Sequence, residues 1–430
     1  MPYYLFLIYT VSYFLHLTSR IPPLAAVRFD FLTIAVLMVF FAVRLIGRPE
    51  IYDNRIAKAA VIFMAYCILS IPLVRWPGSV IHHGFEQFLK GAVFFLFIIV
   101  FVDTLPKLKL FFAVFIACQL VRAFEPAYLH LTQGYWGDVA TAWADSRMHV
   151  LDRLSGAPHD VINPNQLAWV INCILPFIYY FGIRHERRIT QIASFALVCA
   201  LFYPLLLTGS RSGVVSLLVI VIAIVALGPN KFKRLALIFL VGLPMTMIAV
   251  RLLSPDMAER YLSLIDSNAV GASTAAGRLN GLKQNLATVA NFYGIFGHGL
   301  GTSYEANVQY LGSALLAHNL YIEALQEVGI VGFMLFMRYI YTIAAQLRSA
   351  GSRGSDTDFM RRMAPALKVW IAMNLVYSLS CFGMNSWEWY LFGGVAAMGL
   401  KLSSTSESPM KKFNRGGVAR LRPCTGSTIE

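Results

Sequence analysis

The chain has 430 residues, 57% hydrophobic and 13% charged, with a mean hydropathy of +0.62 and a formal net charge of +14. A soluble domain carries roughly 25% charged residues, so the composition excludes a soluble protein and describes a polytopic membrane protein. Cys67, Cys118, Cys173, Cys199 and Cys381 lie inside apolar runs and Cys424 lies near the end of the chain, which excludes a disulfide framework and a clustered cysteine metal site.

A membrane span takes about 20 apolar residues. Runs of that order predict an all-α polytopic transmembrane helix bundle of about 12 spans. In chain order they are Tyr3–Leu17, Phe31–Ile46, Ile56–Val74, Phe85–Val102, Leu108–Leu129, Pro164–Gly182, Ile189–Leu207, Gly213–Leu227, Leu235–Leu253, Val328–Leu347, Leu367–Phe382 and Trp387–Leu402. The first run opens Pro2-Tyr3-Tyr4 with no basic residue and no small-residue cleavage site after it, so it is expected to stay in place as a span.

Charge tests this order. The connections after even-numbered spans and the tail hold Arg44, Arg48, Arg55, Lys58, Lys107, Lys109, Arg184, Arg187, Arg188, Lys231, Lys233 and Arg234, then Arg348, Arg353, Arg361, Arg362, Lys368 and the basic tail from Lys401 to Arg422. Basic residues gather on the cytoplasmic side of a membrane, so both termini are expected in the cytoplasm. The positive excess is then a topology signal and calls for no nucleic-acid partner. The reading is a single transmembrane unit over 1–402, followed by a basic, disordered cytoplasmic tail over 403–430. Two long outer connections, about 130–163 and 254–317, mix both charge signs. The second is expected to form a periplasmic helical cap: Leu279, Leu282, Leu286 and Val289 recur at helical spacing, which predicts an amphipathic helix over Arg278–Phe292 lying on the membrane face.

Polar residues at the membrane edge are where chemistry is expected. His318-Asn319 opens an amphipathic helix that runs into a span, and a helix N-terminus disfavours the imidazolium form. A neutral ring there takes a proton from a sugar hydroxyl; an interfacial histidine bound to a loop carbonyl is the alternative left open. Arg211 sits in the tight turn Thr208-Gly209-Ser210-Arg211-Ser212-Gly213, where a guanidinium fork suits phosphate oxygens. Arg278 opens the amphipathic helix either as a second phosphate clamp or as a solvated residue. Asn163-Pro164-Asn165-Gln166 starts a span either as donors to a glycan or as an Asn cap before a first-turn proline. The glycines from Gly294 to Gly301 turn tightly beside His298, a candidate helper, and lack the Gly-Lys-Ser/Thr ending of a phosphate loop. Gly329 and Gly332 are expected to allow close helix packing. Arg338, mid-span, is expected to face Glu327, Glu388 or a cavity. No His-Glu-x-x-His run or outer Cys pair is present, so neither metal nor cofactor is expected.

In their order and sidedness these motifs resemble the O-antigen ligase and polysaccharide polymerase superfamily of bacterial inner membranes. They are Asn163-Pro164-Asn165, Ser210-Arg211, Gly277-Arg278, Gly297-His298-Gly299-Leu300-Gly301 and His318-Asn319 with Gly329 and Gly332. The resemblance implies a helix bundle with a periplasmic cap and metal-independent transfer of a glycan from undecaprenyl diphosphate to an acceptor hydroxyl. It assigns Arg211 and Arg278 to the diphosphate and His318 to the acceptor hydroxyl, with Asn163, Asn165, Ser210, His298 and Asn319 as substrate-binding candidates. Polymerisation of repeat units is the preferred activity, ligation to lipid A core the alternative, and a transporter or flippase the alternative of another class. Expected partners are the lipid-linked oligosaccharide donor, the glycan acceptor, the bilayer, and other polysaccharide assembly and export proteins.

Overall fold

Each apolar run closes its backbone hydrogen bonds within itself, as hydrocarbon requires of a single segment. The computed structural model describes residues 1–46, 53–137, 152–233, 254–263, 272–291, 294–312, 318–352, 358–381 and 383–405, with scattered positions between 234 and 253. Among the described residues the protein is all-helical. Apart from short helical turns such as Leu17–Arg20 and Pro22–Ala26, the helices are α1 (Pro2–Leu15), α2 (Phe29–Ile46), α3 (Arg55–Leu69), α4 (Pro77–Phe101), α5 (Leu105–Gln133), α6 (Pro164–Ile183), α7 (Arg188–Leu207), α8 (Arg211–Ala226), α9 (Pro255–Leu262), α10 (Ala272–Asn291), α11 (Ser303–Leu311), α12 (Leu320–Ser352), α13 (Asp358–Tyr377) and α14 (Trp387–Thr405). Six of them, α2, α4, α5, α6, α7 and α12, are long and apolar enough to cross a membrane; α1 and α8 are shorter apolar helices. The predicted span Leu235–Leu253 and most of the tail over 403–430 lie outside the described residues. Each of the other predicted spans overlaps a helix, although Leu367–Phe382 runs past the end of α13 at Tyr377.

The core is aromatic. Phe88, Phe94, Phe95, Phe97 and Phe101 of α4 are buried against Trp389, Tyr390 and Phe392 of α14 and their neighbours. The Tyr339 side chain of α12 lies so close to the α14 backbone that a Cβ on Gly393 would overlap its hydroxyl, which itself donates to the Trp389 carbonyl at 2.9 Å. At the opposite extreme, α2 and α7 bury little of their length and turn valines, isoleucines and Phe195 outward, as a lipid-facing helix does.

One polar pin within the bundle orders the approach to the site. Arg122 of α5 is buried and binds both oxygens of buried Asp160, at 2.7 and 3.0 Å, while His16 Nε2 lies 3.2 Å from the same carboxylate. A buried charge is tolerated when paired and hydrogen-bonded. This pairing fixes segment 152–163, which delivers Arg153 and Asn163 to the N-terminus of α6.

α12 is broken in two. Gly329 has φ 65° and ψ −174°, a conformation essentially confined to glycine, and it separates a half-helix over 320–328 from the span over 330–352. The turn before α11 lies in the break and replaces the lost helical bonds. His298 and Gly299 donate their N–H groups to the Gln326 and Glu327 carbonyls at 2.7 and 2.9 Å. Ile330 and Val331 donate to the Gly294 and Ile295 carbonyls at 2.8 and 3.4 Å, and the Tyr66 hydroxyl takes the Val328 carbonyl at 2.9 Å. Unpaired backbone groups in an apolar interior are costly, so the glycine turn and the broken helix need each other. A Cβ at Gly329 would overlap the Ile295 carbonyl oxygen. Gly329→Ala should therefore cost at least about 1–3 kcal/mol from the backbone alone. Thermal denaturation of the purified protein checks this, and a melting curve unchanged from wild type would mean that the turn does not need glycine here.

Two expectations are corrected. Arg338 is exposed on the outside of α12 and forms no ion pair with Glu327 or Glu388, because its position on the helix turns it away from the bundle. The helix predicted over Arg278–Phe292 falls in α10 up to Asn291, with Phe292 outside the described residues; among its described side chains the buried ones are the polar Asn285 and Thr288, whereas Leu286 is exposed. Gln326 of the half-helix explains the inversion: its Nε2 donates to Asn285 Oδ1, Thr288 Oγ1 and Asn307 Oδ1 at 3.1, 2.8 and 3.0 Å. α10 and α11 thus dock on the half-helix through amide chemistry, which leaves Leu286 of α10 exposed and Leu282 and Val289 half-buried.

Candidate active site

Three helix N-termini meet at one end of the bundle. At α6, Asn163 and Gln166 form a reciprocal capping box with both bonds at 3.0 Å, so the Asn163 side chain serves the helix cap. At α8, Ser210 caps the helix by accepting from the Gly213 N–H at 3.1 Å. At α12, the Asn319 carbonyl oxygen Oδ1 accepts from the Tyr321 and Ile322 N–H groups at 3.0 and 3.1 Å. Helix N-termini carry partial positive charge and present N–H donors to anions.

Around the α8 start the structure gathers cations that the sequence reading did not bring together. Arg153 Nε donates to the Thr208 carbonyl at 2.8 Å and its Nη2 to Asn165 Oδ1 at 2.9 Å. Arg260 of α9 donates from Nε to the Gly209 carbonyl at 2.8 Å, and Arg211 from Nη1 to Ser263 Oγ at 3.0 Å. Ser210 Oγ donates to the same Asn165 oxygen at 2.9 Å. Three half-buried guanidinium groups therefore flank one tight turn, with Asn165 and Ser210 at its centre. Tyr261, whose hydroxyl is pushed up to about 12 by burial, donates to the Leu206 carbonyl at 2.7 Å and seats α9 on the turn. Arg278 lies in α10, and its side chain is outside what the structure describes.

His318 lies on the other flank of the C-terminal end of α13. The Tyr377 hydroxyl of α13 donates to the Asn165 carbonyl at 2.9 Å. On the α12 side the Leu320 N–H reaches the Ser378 carbonyl at 2.9 Å, and Asn319 Nδ2 reaches the Leu379 carbonyl at 3.1 Å. His318 itself precedes the cap, is exposed, and has a left-handed φ of 46°. It stands at a cavity of about 400 Å³. The cavity walls come from four elements: Gln87 of α4, the turn Gly301 to Tyr304, the half-helix with Glu323, Gln326 and Glu327, and the α13–α14 connection from Gly383 to Ser386.

The two glutamates were not recognised as site residues from sequence, although paired carboxylates at i and i+4 just after His318-Asn319 in an apolar helix are a signal. Glu323 Oε2 accepts from the Gly383 and Met384 N–H groups at 2.7 and 3.2 Å. Glu327 Oε1 accepts from Ser303 Oγ at 2.6 Å. His298, the candidate helper, does not line this cavity. It is buried, its Nδ1 is 3.0 Å from the Gln326 carbonyl, and its ring stacks on Trp76 at 5.5 Å between centroids. Burial holds its pKa below the usual histidine value, against the Gln326 carbonyl, which favours the charged form.

Residues 195–337 match the family model described as O-antigen ligase. No curated protein matches the chain. The matched stretch runs from α7 into the span half of α12 and takes in Arg211, Arg278, His298, His318 and the break at Gly329; the Asn163-Pro164-Asn165 cap lies before it. By this match residues 195–337 are similar to an O-antigen ligase domain.

Proposed function

We propose that this protein transfers a glycan from undecaprenyl diphosphate to an acceptor sugar hydroxyl at the periplasmic face, and that it polymerises repeat units. One observation carries the reading: an arginine-rich turn and a histidine beside a polar cavity flank the same end of α13. Arg211, with Arg153 and Arg260, and Arg278 from the cap, holds the donor diphosphate near the α8 N-terminus. His318 accepts the acceptor hydroxyl proton as the new bond forms between that oxygen and the anomeric carbon. The bond from that carbon to the phosphate oxygen breaks, and the electron pair leaves with undecaprenyl diphosphate, whose charge the guanidinium groups stabilise. The side chains of this constellation supply positioning, proton acceptance and charge stabilisation, so the transfer is proposed to proceed without a metal.

The basic connections at the other helix ends support a bundle of about 12 spans with cytoplasmic termini in the inner membrane. Residues 254–317 then form a periplasmic cap, and 403–430 a cytoplasmic tail. The purified protein in bilayers should convert an undecaprenyl diphosphate oligosaccharide, supplied alone, into a product ladder. Product only after addition of lipid A core would make it a ligase, and movement of the lipid across the bilayer without chemistry would make it a transporter. In intact spheroplasts an impermeant thiol reagent should label Lys283→Cys and spare Arg361→Cys; the reverse would invert the orientation.

A further inference from the structure

We propose that Tyr304 is the platform on which the acceptor sugar lies beside His318, so that the cavity takes a pyranose ring by one of its faces. The word acceptor rests on the transferase reading; the platform itself rests on what lines the cavity. Among the described lining residues no aliphatic side chain is present. Gln87 and Ser386 carry groups that both donate and accept hydrogen bonds, as every sugar hydroxyl does. Among the same residues Tyr304 is the one benzenoid ring, and it is 55% exposed. The outer aromatic rings nearby are already packed on each other. Trp76 lies 5.5 Å from His298 and 6.4 Å from Tyr310, and His298 lies 5.5 Å from Tyr310, centroid to centroid. None of these three rings packs on Tyr304.

The backbone that carries Tyr304 is held on both sides. Ser303 Oγ donates to Glu327 Oε1 at 2.6 Å, and Asn307 Oδ1 accepts from Gln326 Nε2 at 3.0 Å. Thr302 Oγ1 closes the turn before them by donating to the Gly299 carbonyl at 2.6 Å. Residues 303 and 307 lie one turn apart on the docked face of α11, so Tyr304 is turned off that face at a fixed position. A platform already in place loses little freedom when a ligand settles on it. A pyranose carries hydroxyls around its rim and C–H groups on its faces. Those C–H groups are weakly positive and meet the negative π-face of an aromatic ring, while the apolar patch leaves water. The hydroxyl rim is then met by the polar walls. Val308, one turn further along α11, is 45% exposed, so the competing role for Tyr304 is an apolar contact of α11 with the membrane surface. That role needs hydrophobic area alone; the platform needs a flat ring.

Saturation-transfer NMR on the full chain in nanodiscs tests this, with methyl β-glucopyranoside and open-chain glucitol as probes. The glucoside should receive saturation concentrated on the hydrogens of one ring face. Glucitol, which has the hydroxyls but no ring, should receive far less. Tyr304→Leu, which keeps the apolar area of α11, should weaken the glucoside about three- to tenfold, the worth of an aromatic face contact. Tyr304→Phe, which keeps the ring, should bind as wild type does. Unchanged binding in Tyr304→Leu, an equal loss in Tyr304→Phe, or equal saturation of glucitol overturns the proposal. Sugar binding as expected without any transfer supports the platform and removes the transferase. Glycan transfer with a wild-type acceptor KM in Tyr304→Leu removes the platform and leaves the transferase reading intact.

Discussion

Replacing His318 with alanine should lower glycan transfer by about 10²–10⁴-fold, the range for loss of a positioned general base. Donor binding should stay close to wild type, because the diphosphate is held at the arginine turn on the other flank of α13. The fall should therefore appear in kcat with little change in the donor KM. The left-handed φ of 46° at His318 complicates a simple alanine reading, since a Cβ-bearing residue without a polar side chain is strained there. His318→Asn removes that objection: asparagine tolerates this conformation, keeps hydrogen bonding, and is no useful base. Asparagine should be as inactive as alanine. Near-normal turnover in the Asn variant would show that position 318 only orients the acceptor, and activity in the Ala variant would reduce His318 to an interfacial residue. His298 would be a poor substitute, with its ring packed on Trp76 and its Nδ1 against the Gln326 carbonyl.

Arg211→Lys should lose about 10²–10³-fold in kcat/KM, comparable to removing a donor aimed at developing negative charge. The reason is geometric. A guanidinium presents a planar fork of donors, and an ammonium presents a point charge on a flexible stem. Arg211 sits in the first turn of α8 beside the Ser210 cap, so its direction is set by the helix start and by Ser263. The variant should remain folded and monodisperse, because the cap and the Asn172 bond to the Gly213 carbonyl at 2.7 Å are untouched. Full activity in both Arg211→Lys and Arg278→Ala would remove the diphosphate clamp from the mechanism.

The residues themselves determined where the helices stand, because a run of apolar side chains in lipid satisfies its own backbone and needs no partner to do so. The helix starts were legible for the same local reason: Asn163 before Pro164, Ser210 before Arg211 and Asn319 after His318 each bind N–H groups two or three residues on. What joins those starts into one site was decided only by tertiary structure. The partners of the turn, Arg153 and Arg260, come from about fifty residues away on either side, and no period or motif marks that meeting. The break at Gly329 is as hidden, since its replacement hydrogen bonds come from residues 294–299 in another segment. The same holds for α10, whose leucine spacing signals an apolar face while two bonds from Gln326 bury polar Asn285 and Thr288. Local hydrogen bonds and hydrophobicity are written along the chain; which buried polar group answers which is settled only when distant segments pack and every donor and acceptor must find a partner.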